Sequence, residues 1–193
     1  MSVKLSIFHV ITVEKRSSCG RSCVHWSSVT GCHVLCHVKS ATGTGLAPVP
    51  MFDPTYRPGD NLFTNSVISW NPDDGKMNWY FQYTPNDGWD YDEVGVHMLH
   101  DVVVNGETRK AATHFGRNGF LYTIDRNNGS FIKGSQYVNE LNWTKGLDPR
   151  TGKPADYDPA GGVQTYARPE ATGLRACPGP QGPRYYPPTF DPD

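Results

Sequence analysis

The chain reads as an all-β protein built from many short antiparallel strands, and three observations predict it. Of 193 residues, 20 are Gly and 16 are Pro, nearly one in five, against a usual combined share of about 12 percent. Aromatic residues reach 12 % while the whole apolar set is only 37 %, so the core is expected to form from rings rather than aliphatic side chains. From about residue 43 onward, β-like runs alternate with clusters of Gly, Pro, Asn and Asp, the pattern of strands joined by tight turns. The same composition excludes other classes. Helix breakers recur too often for long helices, and no run approaches the ~20 apolar residues of a helical membrane span. A net charge of -1 leaves no electrostatic footprint for nucleic acid or anionic lipid.

Residues 1–42 differ from the rest. Cys19, Cys23, Cys32 and Cys36 form two C-x3-C pairs with His33 and His37 interleaved. Thiolate and imidazole are zinc ligands, but structural zinc sites usually open with C-x2-C. Residues 32–37 also stand one residue outside the C-x-x-C-H haem attachment pattern. The alternative is an irregular leader, disordered or non-native and unrelated to the remainder of the chain. Lys4 and the apolar run after it look like the start of a signal peptide. His9 interrupts that run, Glu14-Lys15-Arg16 comes directly after it, and there is no A-x-A site, so no convincing signal peptide is present.

The strands expected next are 65–70, 77–83 (carrying Trp79, Tyr80, Phe81 and Tyr83), 94–104, 110–114, 119–124 and a run beginning at Phe131. Three turns among them share one form: Asn71-Pro72-Asp73-Asp74-Gly75-Lys76, Asp125-Arg126-Asn127-Asn128-Gly129-Ser130 and Asp148-Pro149-Arg150-Thr151-Gly152-Lys153. Each starts with Asp or Asn, whose side chain can cap the turn, and places Gly four residues later, where positive φ is needed. The first two begin 54 residues apart, at 71 and 125. A period near 50 residues matches a propeller blade; three ordinary hairpin turns are the alternative. Propellers need about 4–8 blades to close, and this chain has room for about three at such a period. On the propeller reading it is a piece of a larger ring.

Two segments could carry chemistry. Asp87-Gly88-Trp89-Asp90-Tyr91-Asp92-Glu93 holds four carboxylates in seven residues, with His97 and His100 just after. Such crowding suits oxygen ligation of a hard cation, with one carboxylate left as a general base; a solvated acidic turn is the bland alternative. The other segment is Phe115-Gly116-Arg117-Asn118-Gly119, where a Gly-flanked Arg can offer its fork of donors to a carboxylate or carbonyl.

Taken together and in order, several stretches resemble the pyrroloquinoline quinone (PQQ) dependent alcohol dehydrogenases, the methanol and ethanol dehydrogenase family of quinoproteins. They are Arg57-Pro58-Gly59-Asp60-Asn61, Thr64-Asn65-Ser66, Phe81-Gln82-Tyr83-Thr84-Pro85-Asn86-Asp87, Trp89-Asp90-Tyr91-Asp92, Arg117-Asn118-Gly119-Phe120 with Asp125-Arg126, and Trp143-Thr144-Lys145-Gly146-Leu147-Asp148. The resemblance covers residues 43–193. It implies about two to three blades of an eight-bladed β-propeller that holds PQQ and a calcium or lanthanide ion. It also implies oxidation of a primary alcohol to an aldehyde, electron transfer to a cytochrome c-type acceptor, and a periplasmic location.

Residue by residue, Asp90 matches the family's catalytic base, which also sits beside the cation. Arg117 matches the arginine that contacts the quinone oxygen and that aspartate. Asp92 matches the extra carboxylate of the lanthanide-using branch. Departures accompany these matches. Where the family has a metal-binding Asn before its Pro-x-Pro segment, Leu46-Ala47-Pro48-Val49-Pro50 offers Ala47. Cys177-Pro178 resembles the family's Cys-Pro, yet Tyr185 stands where a cofactor-contacting Asn is expected. Upstream of Gly43 nothing matches, which leaves the cofactor-stacking Trp and an earlier metal-binding Glu outside the chain. The expectation is a partial dehydrogenase, inactive alone, with a frameshifted or mispredicted start. A non-catalytic propeller fragment that binds a protein partner is the alternative from another class.

Overall fold

The computed structural model describes residues 59–71, 73–93, 95–158, 177–179 and 191, together with the strand pairing of residues 7–8, 40–44 and 162–163. The Cys/His leader motifs, Ala47 and Tyr185 lie outside the described residues. Among those described, every regular element is a strand. In order they are β1 (Ile7–Phe8), β2 (Ser40–Thr44), β3 (Ser66–Trp70), β4 (Met77–Gln82), β5 (His97–Val104), β6 (Glu107–Phe115), β7 (Phe120–Asp125), β8 (Phe131–Gln136), β9 (Tyr157–Asp158) and β10 (Gly162–Val163). Two four-stranded sheets run in sequence order, β1-β2-β3-β4 and β5-β6-β7-β8, and β9 and β10 form a two-stranded ladder. All the pairings are antiparallel. Ile7 and Phe8 of the N-terminal segment thus border the first sheet.

The last two strands of each four-stranded sheet repeat the same design. In the first sheet Ser66 pairs with Gln82 and Trp70 with Met77, with a register shift between Ser69 and Trp70. In the second, Phe120 pairs with Gln136 and Ile124 with Phe131, with the shift between Thr123 and Ile124. Each of these positions recurs 54 residues later, as 71 does at 125. The connecting turns match bond for bond. The N–H groups of Asn71 and Asp125 donate to the carbonyls of Lys76 and Ser130 at 2.8 Å, and those of Gly75 and Gly129 donate back to the carbonyls of Asn71 and Asp125. In each, the first side chain accepts from the N–H two residues on. Gly75 and Gly129 have φ of 70° and 74°, the left-handed region that an L side chain enters only with strain. The third turn, at Asp148, makes the same backbone bonds. It closes a single bridge between Leu147 and Pro154 rather than a strand pair. Two of the three similar turns are therefore blade-phased, and the third is a local hairpin.

Two boundaries differ from the sequence reading by three residues, and the strand expected at 94–104 is His97–Val104. The strand expected at 110–114 runs from Glu107 to Phe115, because Asn105-Gly106, at φ of 53° and 83°, forms a two-residue hairpin turn of the primed kind. That turn sets the whole register of β5 on β6, from Val104 opposite Glu107 to His97 opposite His114.

The core is aromatic, as the composition predicts. Phe81 and Tyr83, on and just after β4, meet Tyr122 of β7 with ring centroids 5.9 and 4.8 Å apart. Phe81 also stacks on Phe131 of β8 at 6.1 Å. Edge and offset contacts of this kind add about 0.5–1.5 kcal/mol each beyond the area they bury. Trp143, fully buried, closes the cluster against Trp89, Tyr91 and Phe120. The two sheets are thus joined ring to ring.

Candidate functional site

The loop from Tyr83 to β5 turns repeatedly, and burial alternates along residues 89–93. Asp87, Trp89, Tyr91 and Glu93 are buried at 5 % exposure or less, whereas Asp90 and Asp92 between them are only partly covered. The acidic cluster of the sequence therefore separates into two fully buried carboxylates and two partly exposed ones. Asp90 and Asp92 both take left-handed backbone conformations, with φ of 62° and 39°. Asp tolerates that region better than most residues but not freely.

Asp87 is the anchor of this loop. Its Oδ1 accepts the Trp89 N–H at 2.7 Å, and its Oδ2 accepts the Tyr91 N–H at 2.8 Å and Asn65 Nδ2 at 2.6 Å. Burial nevertheless dominates and pushes its carboxyl up to about 6, with the three donors acting in the opposite direction. Tyr91 donates its hydroxyl to the Pro178 carbonyl at 3.0 Å, and burial first of all raises that phenol far above its ordinary range.

Arg117 sits in the turn between β6 and β7, closed by the Gly116 N–H on the Phe120 carbonyl at 2.9 Å and the Gly119 N–H on the Gly116 carbonyl at 3.1 Å. Its side chain is 2 % exposed, and its Nη1 lies 3.6 Å from Asp92 Oδ2. Asn118 braces the turn: its Nδ2 donates to Thr84 Oγ1 and the Tyr122 hydroxyl, and its carbonyl accepts Trp143 Nε1 at 2.6 Å. Tyr137 donates to the Gly116 carbonyl at 2.7 Å. Burial, then the nearby Glu93 carboxylate, pushes the Tyr137 phenol up to about 12.

Of the three residues singled out from sequence, the structure brings Arg117 and Asp92 together. It leaves Asp90, two residues from Asp92, likewise partly exposed. A buried guanidinium beside a loop of part-exposed carboxylates suits an anionic quinone and a hard cation, which prefers oxygen donors. Calcium takes 6–8 oxygens, and no group of three potential metal ligands occurs among the described residues. Asp90 and Asp92 would therefore supply only part of a ligand set.

Sequence reasoning missed the floor beneath these groups. His97 and His114 are cross-strand partners whose rings stack at 4.3 Å, tilted by only 9°. His97 Nε2 lies 2.6 Å from the Tyr83 hydroxyl, and His114 Nε2 lies 2.8 Å from Glu93 Oε2. The Asn105-Gly106 turn was the available signal, since it alone places 97 opposite 114.

Consecutive four-stranded meanders with a 54-residue period and ring-packed faces define a β-propeller protein whose candidate site lies in the loops at the strand ends. Residues 42–138 match the family described as PQQ: glucose/ethanol/alcohol dehydrogenase, β-propeller domain. That match covers half of the chain, and the chain belongs to this family. It is 42 % identical over 134 residues to the quinoprotein alcohol dehydrogenase PedH of Pseudomonas putida, covering 69 % of this chain and 21 % of PedH. It is 35 % identical over 168 residues to the quinohemoprotein alcohol dehydrogenase of Comamonas testosteroni, covering 86 % of this chain and 22 % of that protein. Among solved structures it is similar to a europium-containing methanol dehydrogenase, with a TM-score of 0.64, 31 % identity, and coverage of 79 % of this chain and 25 % of that one. The chain spans about a fifth of the length of the curated relatives it matches.

Proposed function

We propose that residues 43–193 supply part of the alcohol-oxidising site of a PQQ-dependent dehydrogenase. The observation that carries the reading is the Arg117 guanidinium, 2 % exposed and 3.6 Å from Asp92, on the loop that also presents Asp90. When bound, PQQ supplies the two-electron oxidant that accepts hydride from the alcohol carbon. Asp90, part-exposed and two residues from the Asp92 that faces Arg117, is the base that takes the hydroxyl proton as the C–H bond breaks. Arg117 stabilises the negative charge that develops on the oxidant's oxygen, in a position where burial strengthens the effect. Asp90 and Asp92 together supply hard oxygen donors to the cation. An additional carboxylate favours a trivalent over a divalent ion, and the likeness to a europium-containing enzyme supports a lanthanide. The proposal extends to a primary alcohol substrate, a cytochrome c-type electron acceptor and a periplasmic setting, all supported by the same kinship.

The test is cation-dependent PQQ binding by the purified chain, read by quenching of its tryptophan fluorescence with calcium or lanthanum present. Binding with either cation is expected, and Asp92→Ala should shift the preference from lanthanum towards calcium. Alcohol-dependent dye reduction is measured on a longer version that carries the rest of the family's propeller, where Asp90→Asn should abolish turnover. Failure to bind PQQ with either ion overturns the proposal.

A further inference from the structure

We infer that Glu93 is a positioning residue for Arg117, an inference that rests on the assignment of Arg117 proposed above. The Glu93 side chain is 0 % exposed, and a carboxylate so placed must be compensated by partners. A single oxygen makes both of its hydrogen bonds. Oε2 accepts the Arg117 backbone N–H at 3.2 Å and the His114 Nε2–H at 2.8 Å, while Oε1 has no hydrogen-bond partner. Glu93 belongs to the loop of Asp90 and Asp92, His114 lies on β6, and Arg117 lies in the turn after β6. One carboxylate therefore ties the loop of Asp90 and Asp92 to the main chain of Arg117. The Asp92–Arg117 pair, at 3.6 Å, is too long to be a hydrogen bond and does not itself hold the Arg117 N–H.

The tie is itself anchored. The His114 ring is stacked against His97, which burial above all keeps neutral, its pKa held well below the ordinary histidine range. His97 Nε2 lies 2.6 Å from the Tyr83 hydroxyl. Tyr83, His97, His114 and Glu93 form one buried series that ends at the Arg117 N–H. Buried contacts of this kind fix geometry because each member limits the orientations of the next.

The experiment uses the full chain, labelled with nitrogen-15, as wild type, Glu93→Gln and Glu93→Ala. Gln keeps an amide oxygen that can accept the Arg117 N–H, whereas Ala offers none. Amide hydrogen exchange at Arg117 should be slow in the wild type and about tenfold or more faster in Glu93→Ala, the effect of losing a hydrogen bond to a charged group. Glu93→Gln should recover most of the protection, and PQQ affinity should fall in the same order. A merely structural Glu93 gives a different result: Glu93→Ala lowers the urea midpoint but leaves Arg117 exchange unchanged, and that overturns the inference. Should Glu93→Ala not fold, the wild type decides, because an Arg117 amide exchanging as fast as an exposed loop amide also overturns it. Lack of PQQ binding by the wild type would refute the assignment of Arg117, while the exchange rates would still decide the role of Glu93.

Discussion

Gly75 and Gly129 occupy the same place in two copies of one turn, with φ of 70° and 74°, but they face different surroundings. A Cβ on Gly75 would meet nothing within 4 Å, whereas one on Gly129 would lie 2.7 Å from Cε3 and 2.9 Å from Cδ2 of Trp79. Trp79 belongs to the first sheet and Gly129 to the second, so the pair isolates the packing between them. Gly75→Ala should cost about 1 kcal/mol, the penalty for an L side chain in the left-handed region. Gly129→Ala carries that same penalty plus overpacking against an indole, typically about 1–3 kcal/mol, for a total of about 2–4 kcal/mol. Urea denaturation of the full chain, followed by tryptophan fluorescence and circular dichroism, measures both changes. The excess should vanish in a Trp79→Leu background while the Gly75 effect persists, as a double-mutant cycle requires of a direct contact. Equal losses for the two variants, or an excess that survives removal of the indole, would refute the claim that the sheets meet through this turn.

Three further outcomes are expected. Because the Asp87 carboxyl is raised from 3.8 to about 6, its contribution to stability is full below pH 3.8 and is lost as pH rises through about 6, a change of about 3 kcal/mol; Asp87→Asn should remove that portion of the pH dependence, and parallel stability curves would count against it. Trp143→Phe deletes the Nε1–H donated to the buried Asn118 carbonyl at 2.6 Å and should cost about 1–3 kcal/mol in urea titrations. Arg109→Ala breaks a 2.8 Å pair with Asp125 whose guanidinium is 32 % exposed; solvent screening limits the loss to about 1 kcal/mol or less, so a loss as large as that of Trp143→Phe would show the pair is poorly screened.

The readable parts of this chain were those fixed by neighbours in sequence. The blade period could be read because the turn needs Asn or Asp to cap it and Gly to pass through positive φ, and both recur after 54 residues. The ring-packed core could be read from composition, since Phe81, Tyr83 and Tyr122 had few aliphatic competitors. The acidic cluster was legible as a cluster but not as a buried pair and a partly exposed pair. Asp87 is buried where Asn65, 22 residues away, donates to it; Glu93 is buried where His114, 21 residues away, meets it. Neither partner is marked by local spacing. The Asn105-Gly106 turn would have predicted the opposition of His97 and His114, and through it a histidine floor under the loop.

The division of labour within residues 87–93 also explains how two left-handed aspartates persist side by side. Non-Gly residues at positive φ cost of order 1 kcal/mol or more each and survive only where their surroundings over-determine them. The determinants here lie on the alternate, buried residues. Asp87 holds the N–H groups of Trp89 and Tyr91 that flank Asp90, Tyr91 is held in turn at the Pro178 carbonyl, and Glu93 ends the segment on Arg117 and His114. With both neighbours of Asp90 and of Asp92 so fixed, the chain between them has little choice of backbone conformation. The strain falls on the two partly exposed carboxylates, which are the groups proposed to meet the cation and the alcohol. Loosening the floor at Asp87 or Glu93 should therefore displace Asp90 and Asp92 without touching either, and the expected sign is a loss of cation-dependent PQQ affinity larger than the loss of global stability can account for.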